Sequence, residues 1–307
     1  MGSASTSKTW LITGASQGLG LAMALSALNA GHKVIAGARN PQAAAKSHPE
    51  VEAGGGKWLE LDVSSTKTKD IVAKAVEDAG GIDVVVNNAG YFLSGTIEEL
   101  DENEIHAAMD VNFLGPIRVL KGALPSMRAR NSGTIVSISS IFGFYPCPAG
   151  ALYCCPKAAH DMLQNVLSAE LSSFNIRTVI ITAGLYRTNV LVNSKQPVNG
   201  FSETTMSTPV AQVLGEVGKF IQNPEEHIPG DPGKFGNRIV EIVDGSGMGK
   251  GLEKNSRFLF GRDALKMSGI TMKGLTDSFK LSEGIAASTD FEGHTAPGVA
   301  TVSDMFG

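Results

Sequence analysis

The 307-residue sequence predicts an α/β protein: one domain built on a doubly wound parallel sheet of about seven strands, with helices on both faces. Three observations lead there. Short β-rich apolar runs alternate with helix-length segments for most of the chain. Several of those runs are apolar nearly throughout, as strands covered on both faces must be. The first run leads directly into a glycine-rich turn and then a helix.

The strands are expected at Thr9–Thr13, Lys33–Ala38, Lys57–Val63, Ile82–Asn87, Thr134–Ser139 and Arg177–Thr182, with a weaker seventh at Arg257–Phe260. Between them the pattern predicts helices at Leu19–Ala30, Thr68–Ala79, Glu99–Arg130 (as two joined pieces) and Ala151–Ser173. Strand, helix and strand in repetition imply right-handed crossovers and hence parallel pairing. After Gly184 the pattern loosens. Residues 185–230 read as a polar, mobile lid expected to close over cofactor and substrate, with a helix near Val210–Ile221, and Asp231–Val243 reads as a further helix. The expected organisation is a flexible leader over 1–8, a catalytic domain over 9–267, and a partly mobile extension over 268–307.

Composition narrows the function classes. A chain of this length buries about 75% of its unfolded surface and needs no staple to hold a core. Twenty-six basic against 30 acidic residues leave a net charge of −4, where a general nucleic-acid binder would carry a basic excess. Cys147, Cys154 and Cys155 form no CxxC pair, and the six histidines fall singly, so neither a disulfide framework nor a metal site is expected. No apolar run approaches the ~20 residues that span a bilayer, and no signal sequence is evident. The start Met1-Gly2-Ser3-Ala4-Ser5-Thr6 matches a loose myristoylation pattern but reads as an untethered leader. A cytoplasmic protein without a stable membrane anchor is the expectation.

The candidate chemistry lies in three places. The turn Thr13-Gly14-Ala15-Ser16-Gln17-Gly18-Leu19-Gly20 joins the first strand to the first helix. Its glycines let the backbone approach a pyrophosphate, which sits on the free N–H groups at the helix start. The second strand ends Gly37-Ala38-Arg39-Asn40, without the acid that would bond a ribose 2′-hydroxyl. Arg39 offers a planar fork for a 2′-phosphate instead; the plainer alternative is a surface arginine. Ser140 ends the fifth strand at the ligand-binding carboxyl edge, and Tyr153 and Lys157 stand four apart on one helix face. An ammonium beside a phenol is expected to lower the phenol's pKa and make it a usable proton donor.

In order along the chain, these motifs resemble the short-chain dehydrogenase/reductase family from residue 9 to about 190. The resemblance rests on Thr13, Gly14, Gly18 and Gly20, on Leu61-Asp62-Val63, on Asn87-Asn88-Ala89-Gly90, on Asn112, and on Ser140 with Tyr153 and Lys157. It implies a Rossmann-like fold and an NADP(H)-dependent oxidoreductase, with hydride passing between nicotinamide and a carbonyl or alcohol. Tyr153 would move the proton, Lys157 would hold the nicotinamide ribose, Ser140 would bond the substrate oxygen, and Asn112 would hold a relay water. Asp62 would contact the adenine, and Asn88, Ala89 and Gly90 would run along the cofactor. A hydrophobic small-molecule ketone is the implied substrate and a homodimer or homotetramer the implied assembly. The alternatives are non-redox chemistry on the same bound cofactor, or a silent NADP(H)-binding regulator.

Two departures from the family pattern stand out. Ala183-Gly184 replaces Pro-Gly after the sixth strand, leaving Thr188 to reach the nicotinamide carboxamide and placing Tyr186 and Arg187 where they could touch substrate. Pro156 directly precedes Lys157, and proline suits only a first helical turn, so the helix should begin near Leu152 or Tyr153.

Overall fold

In the computed structural model, which describes residues 7–289 and 291, seven parallel strands form one sheet. They are β1 (Thr9–Ile12), β2 (Lys33–Ala38), β3 (Lys57–Glu60), β4 (Val84–Asn87), β5 (Gly133–Ser140), β6 (Ile176–Ala183) and β7 (Arg257–Phe260). Their order in space is β3-β2-β1-β4-β5-β6-β7. The order reverses between β1 and β4, and at such a switch point the two flanking loops part to leave a crevice. The expected fold is the observed one.

The helices follow the strands: α1 (Gly18–Asn29), α2 (Pro41–Ser47), α3 (Pro49–Ala53), α4 (Thr68–Asp78), α5 (Glu102–Met109), α6 (Gly115–Arg130) and α7 (Ala151–Leu171). Then come α8 (Glu203–Met206), α9 (Pro209–Gln222), α10 (Pro224–His227), α11 (Pro232–Asp244) and α12 (Arg262–Ala287). Alternate strand residues supply two cores, one per face. Trp10, Ile12, Val84, Val86, Val136 and Val179 meet Met23 and Ala27 of α1 and Phe235 and Ile239 of α11. Leu11, Val85 and Ile135 meet Val72, Val119, Leu120 and Leu167 on the other face. Each such fully buried aliphatic side chain contributes about 1.5–3 kcal/mol.

Several boundaries differ from the sequence pattern for local reasons. β3 stops at Glu60, because the Asp62 carboxylate turns back to accept the Ser64 amide at 3.0 Å. The long segment before β5 divides at a π-helical turn, Asp110–Leu114, which carries Asn112. α7 begins at Ala151, so Pro156 stands in its second turn and removes an interior hydrogen bond, contrary to the first-turn expectation. α12 is absent from the sequence pattern, and it crosses the boundary placed at 267. From Met272 to its end it is exposed on every side. The leader's residues 1–6 and the extension's residues 290 and 292–307 lie outside the described residues. Among the described residues, no helix is long and apolar enough to cross a membrane.

Candidate active site

The site forms where the ends of β1, β4, β5 and β6 come together. Thr13, buried at the end of β1, accepts the backbone amides of Asn88 at 2.9 Å and Ala89 at 3.0 Å on its Oγ1. The Asn88 side-chain amide donates in return to the carbonyl oxygens of Thr13 at 2.9 Å and Gly14 at 3.2 Å. The two loops of the crevice are thus stitched into one floor. Gly14 adopts φ +64°, and a Cβ on Gly20 would lie 2.2 Å from the Gly14 oxygen. That cradle has room for backbone alone, leaving the first amides of α1 free to face a phosphate. Ser16 is half-buried beside the turn, and Gly18 opens α1.

Arg39 is exposed just beyond β2, and its neighbour Asn40 caps α2 by accepting the Ala43 amide at 2.9 Å. Asp62 is exposed beyond β3 and accepts from the Ser64 hydroxyl at 2.7 Å. Both residues stand at the carboxyl edge on the β2–β3 side of the crevice.

Across the switch point, Ser140 ends β5 and its Oγ accepts the Phe142 amide at 3.2 Å. Tyr153 lies one helical turn before Lys157 on α7, its ring 4.9 Å from that of Phe92. Phe142 meets Phe92 at 6.4 Å, so one wall of the site is aromatic. The Lys157 ammonium is buried, donates to the Ile138 carbonyl at 2.8 Å, and stands 5.7 Å from the centre of the Tyr153 ring. Asn112, also buried, donates to the Tyr91 carbonyl at 3.0 Å and accepts the Tyr91 amide at 3.1 Å. Gly90 separates Asn112 from Lys157: a Cβ there would lie 2.7 Å from Asn112 Oδ1 and 3.6 Å from Lys157 Nζ.

The electrostatics correct one expectation. Burial pushes the Tyr153 phenol up to about 12, with the neighbouring Ser140 hydroxyl opposing it. Burial likewise pushes Lys157 down to about 8, against the pull of Asp161. The ammonium does not lower the phenol here, because it is directed at the Ile138 carbonyl and desolvation dominates both groups. At neutral pH the tyrosine holds its proton and the lysine is mostly charged.

Two residues at the start of the segment 185–230 differ from expectation. Arg187 does not face the site: its Nε donates to the Ile228 carbonyl at 2.7 Å and its Nη2 to that of Glu225 at 2.9 Å. Tyr186 packs edge-on against Phe235 at 4.8 Å, within the core. Thr188, by contrast, lies over the glycine turn, its Cβ 3.3 Å from where a Gly18 Cβ would stand. Asn193 donates to Gln17 at 3.3 Å beside it. Farther along, the Ser94 amide donates to the Lys195 carbonyl at 2.9 Å, and the Lys195 amide to that of Phe92 at 2.9 Å. Glu99 accepts the Ser202 amide at 2.7 Å, and Glu104 accepts the Val198 amide at 2.9 Å. These bonds hold Glu99 down at about 2, the Thr205 side chain being the largest cause. The sequence reading missed both carboxylates, though their spacing in Thr96-x-x-Glu99 and Asp101-x-x-Glu104 is that of capping boxes.

Cys147 and Cys154 are half-buried, and burial pushes Cys147 up to about 11, far from a reactive thiolate. Among the described residues, no group of three or more His, Cys, Asp or Glu side chains gathers in a way that could hold a metal.

Residues 8–199 match the sequence model of the short chain dehydrogenases. The chain belongs to that family. Among its family relatives, the oxidoreductase claN of Passalora fulva is 44% identical over 209 residues, which span 68% of this chain and 94% of that protein. The oxidoreductase BOA17 of Botryotinia fuckeliana is 31% identical over 272 residues, 88% of this chain and 95% of that one. A short-chain dehydrogenase from Streptomyces avermitilis superposes with a TM-score of 0.81 at 29% identity, covering 93% of this chain and 99% of its own. The L-sorbose reductase of Gluconobacter frateurii, solved with NADPH and L-sorbose, superposes with a TM-score of 0.67 at 26% identity, over 85% and 98% of the two chains. The family is one of oxidoreductases that use a nicotinamide cofactor, and the backbone-only cradle at Gly14 and Gly20 fits the phosphates of such a group.

Proposed function

We propose that the protein is an NADP(H)-dependent reductase that interconverts a hydrophobic ketone and its alcohol. The observation that carries this reading is the grouping of Ser140, Tyr153 and Lys157 at the carboxyl edge, beside the glycine cradle. Gly14, Ser16, Gly18 and Gly20 would hold the pyrophosphate, with Asp62 near the adenine. Asn88, Ala89 and Gly90 would lie along the cofactor, and Lys157 and Thr188 would hold its nicotinamide end. When bound, the cofactor supplies or accepts the hydride.

The protein's own groups manage oxygen and proton. The Ser140 hydroxyl donates to the substrate oxygen and stabilises the negative charge that grows there. Tyr153, kept protonated by its burial, gives its proton to the alkoxide. The phenolate left behind is then reprotonated by way of the nearby Lys157 ammonium. Exposed Arg39, with no acid at that strand end, supports the 2′-phosphate form of the cofactor. The NADPH in the sorbose reductase supports the same choice. Phe92 and Phe142 support an apolar substrate rather than a polyol.

NADPH oxidation with a panel of aromatic and alicyclic ketones tests the reading. Tyr153→Phe keeps the ring and should slow turnover by about 10²- to 10⁴-fold while NADPH affinity holds. Wild-type turnover in that variant would overturn the assignment.

A further inference from the structure

Behind Lys157, the interface between α7 and the sheet is polar where an apolar interior is usual. Asn87 and Ser137 are register partners on β4 and β5, and Ser139 and Thr182 are partners on β5 and β6. Against this row α7 lays His160, Asp161 and Gln164, which follow Lys157 by three, four and seven residues and share its helix face. All of these side chains are buried.

Direct bonds join parts of the row. Ser137 Oγ meets His160 Nε2 at 3.2 Å. Arg257 Nη1 reaches Thr182 Oγ1 at 2.9 Å and Asp161 Oδ2 at 2.7 Å. Arg257 lies on the edge strand β7 with a third of its side chain exposed, so the row runs from Lys157 out to solvent. Within it, seven polar atoms have no protein partner among the described residues. They are both amide atoms of Asn87, both of Gln164, Ser139 Oγ, His160 Nδ1 and Asp161 Oδ1. Proteins satisfy such clusters with internal water, which needs two to four polar partners to be held.

We propose that this layer holds a file of internal waters and provides a proton path between Lys157 and solvent at Asp161 and Arg257. In it His160 is a positioning residue that acts on Tyr153 only through Lys157. The proposal rests on the hydride-transfer reading, and it uses the side of Lys157 away from Asn112. Each alcohol formed takes one proton from Tyr153, and one proton must return. A proton taken up at the Asp161 end passes from water to water. His160 gains a proton on one ring nitrogen as it releases one from the other, so its charge is unchanged. Lys157 regains the proton that it handed to Tyr153, and no electrons move in the relay. The charge acting on the imidazole is Lys157, on its own helix, while Asp161 and Arg257 pair with each other at the solvent end of the row; β4, β5 and β6 present only hydroxyls and an amide. Burial and the Lys157 charge push His160 down to about 3, so it is neutral at working pH, with one donor and one acceptor.

The test pairs His160→Leu, which removes both nitrogens, with His160→Gln, which keeps a donor and an acceptor. His160→Leu should lower kcat about 10-fold with NADPH affinity unchanged, and should raise the solvent deuterium isotope effect on kcat. His160→Gln should recover most of the rate and return the isotope effect toward wild type. Wild-type kcat and isotope effect in His160→Leu would overturn the proposal. So would a slower kcat with an unaltered isotope effect and pH profile, which is the signature of packing alone. A high-resolution crystal structure of the unliganded wild type gives an independent readout. Ordered waters bonded to Asn87, Ser139, His160 and Gln164 are expected, and a dry layer would overturn the proposal whatever the kinetics. If the wild type oxidises NADPH with no ketone, the hydride-transfer reading fails by itself and the waters still decide the layer.

Discussion

Lys157→Met should remove turnover and yet leave the unliganded protein as stable as wild type at neutral pH, or more so. The lysine falls from its ordinary 10.5 to about 8 on folding because its ammonium is buried. At about 1.36 kcal/mol per pH unit, holding the charge in the folded protein costs roughly 3 kcal/mol. The bond to the Ile138 carbonyl offsets about 1.5–3 kcal/mol of what a methionine would gain, so the net difference at pH 7 is about 0–2 kcal/mol. The pH dependence is sharper than the absolute value. Between about pH 8 and 10.5 the unfolded lysine keeps its proton while the folded one has lost it. The unfolded state therefore binds more protons, and wild-type stability rises with pH across that window. Below it the cost is present in full, and above it the cost is gone. The Lys157→Met variant has no titrating group at this position and no such dependence. Urea unfolding of both proteins without cofactor, from pH 7 to 10, should show wild type gaining up to roughly 3 kcal/mol on the variant. A difference that stays flat, or moves against wild type as pH rises, would refute the reasoning.

Arg39→Ala should weaken NADPH binding at least tenfold, about 1.4 kcal/mol, and leave NADH unchanged; equal losses for both in a fluorescence titration would remove Arg39 from the 2′-phosphate. Gly20→Ala should abolish cofactor binding, since its Cβ would stand 2.2 Å from the Gly14 oxygen; tight binding in a folded variant would show that the turn has room to move. Glu99→Gln should speed hydrogen exchange over residues 194–205 at neutral pH. Because the folded carboxyl is held at about 2 against the usual 4.5, the latch is fully present above about pH 4.5 and lost as pH falls toward 2. Unchanged exchange in the variant would mean that the Lys195 pairing alone holds the segment.

What was legible in the sequence is what depends on spacing. Val84, Val85 and Val86 are apolar in succession because both sheet faces are covered, and that alone distinguishes a buried parallel strand from an amphipathic one. Gly14 and Gly20 mark the crevice because one needs a positive φ and the other has room for no side chain. Ser140, Tyr153 and Lys157 fall near each other because a strand end and a helix start meet at one sheet edge. α12 escaped notice because Gly269, Gly274 and Gly284 interrupt it, Gly261 offers no side-chain cap, and no single apolar stripe marks a face. Arg187 was misplaced for a related reason. A charge next to a cofactor loop reads as functional until the carbonyls of Glu225 and Ile228, some 40 residues away, are seen to hold it.

The direction of the tyrosine and lysine shifts was beyond any reading by spacing. Four residues between Tyr153 and Lys157 establish a shared face but leave open whether charge or desolvation dominates. The answer is burial: the Phe92 ring lies against Tyr153 from the loop after β4, while the Ser140 hydroxyl and the Ile138 carbonyl of β5 oppose the shifts without reversing them. Desolvation raises the phenol and lowers the ammonium together, so the unliganded site rests with a protonated tyrosine and a lysine close to losing its charge. That resting state suits reduction, in which the first demand on Tyr153 is to give a proton away. Oxidation would need the phenolate first, and hence a further source of positive charge beside the ring. Under the proposed function, the oxidised nicotinamide carries such a charge and the reduced one does not. The burial of Tyr153 therefore keeps its phenol protonated in the unliganded protein, and a bound oxidised nicotinamide would work against that burial.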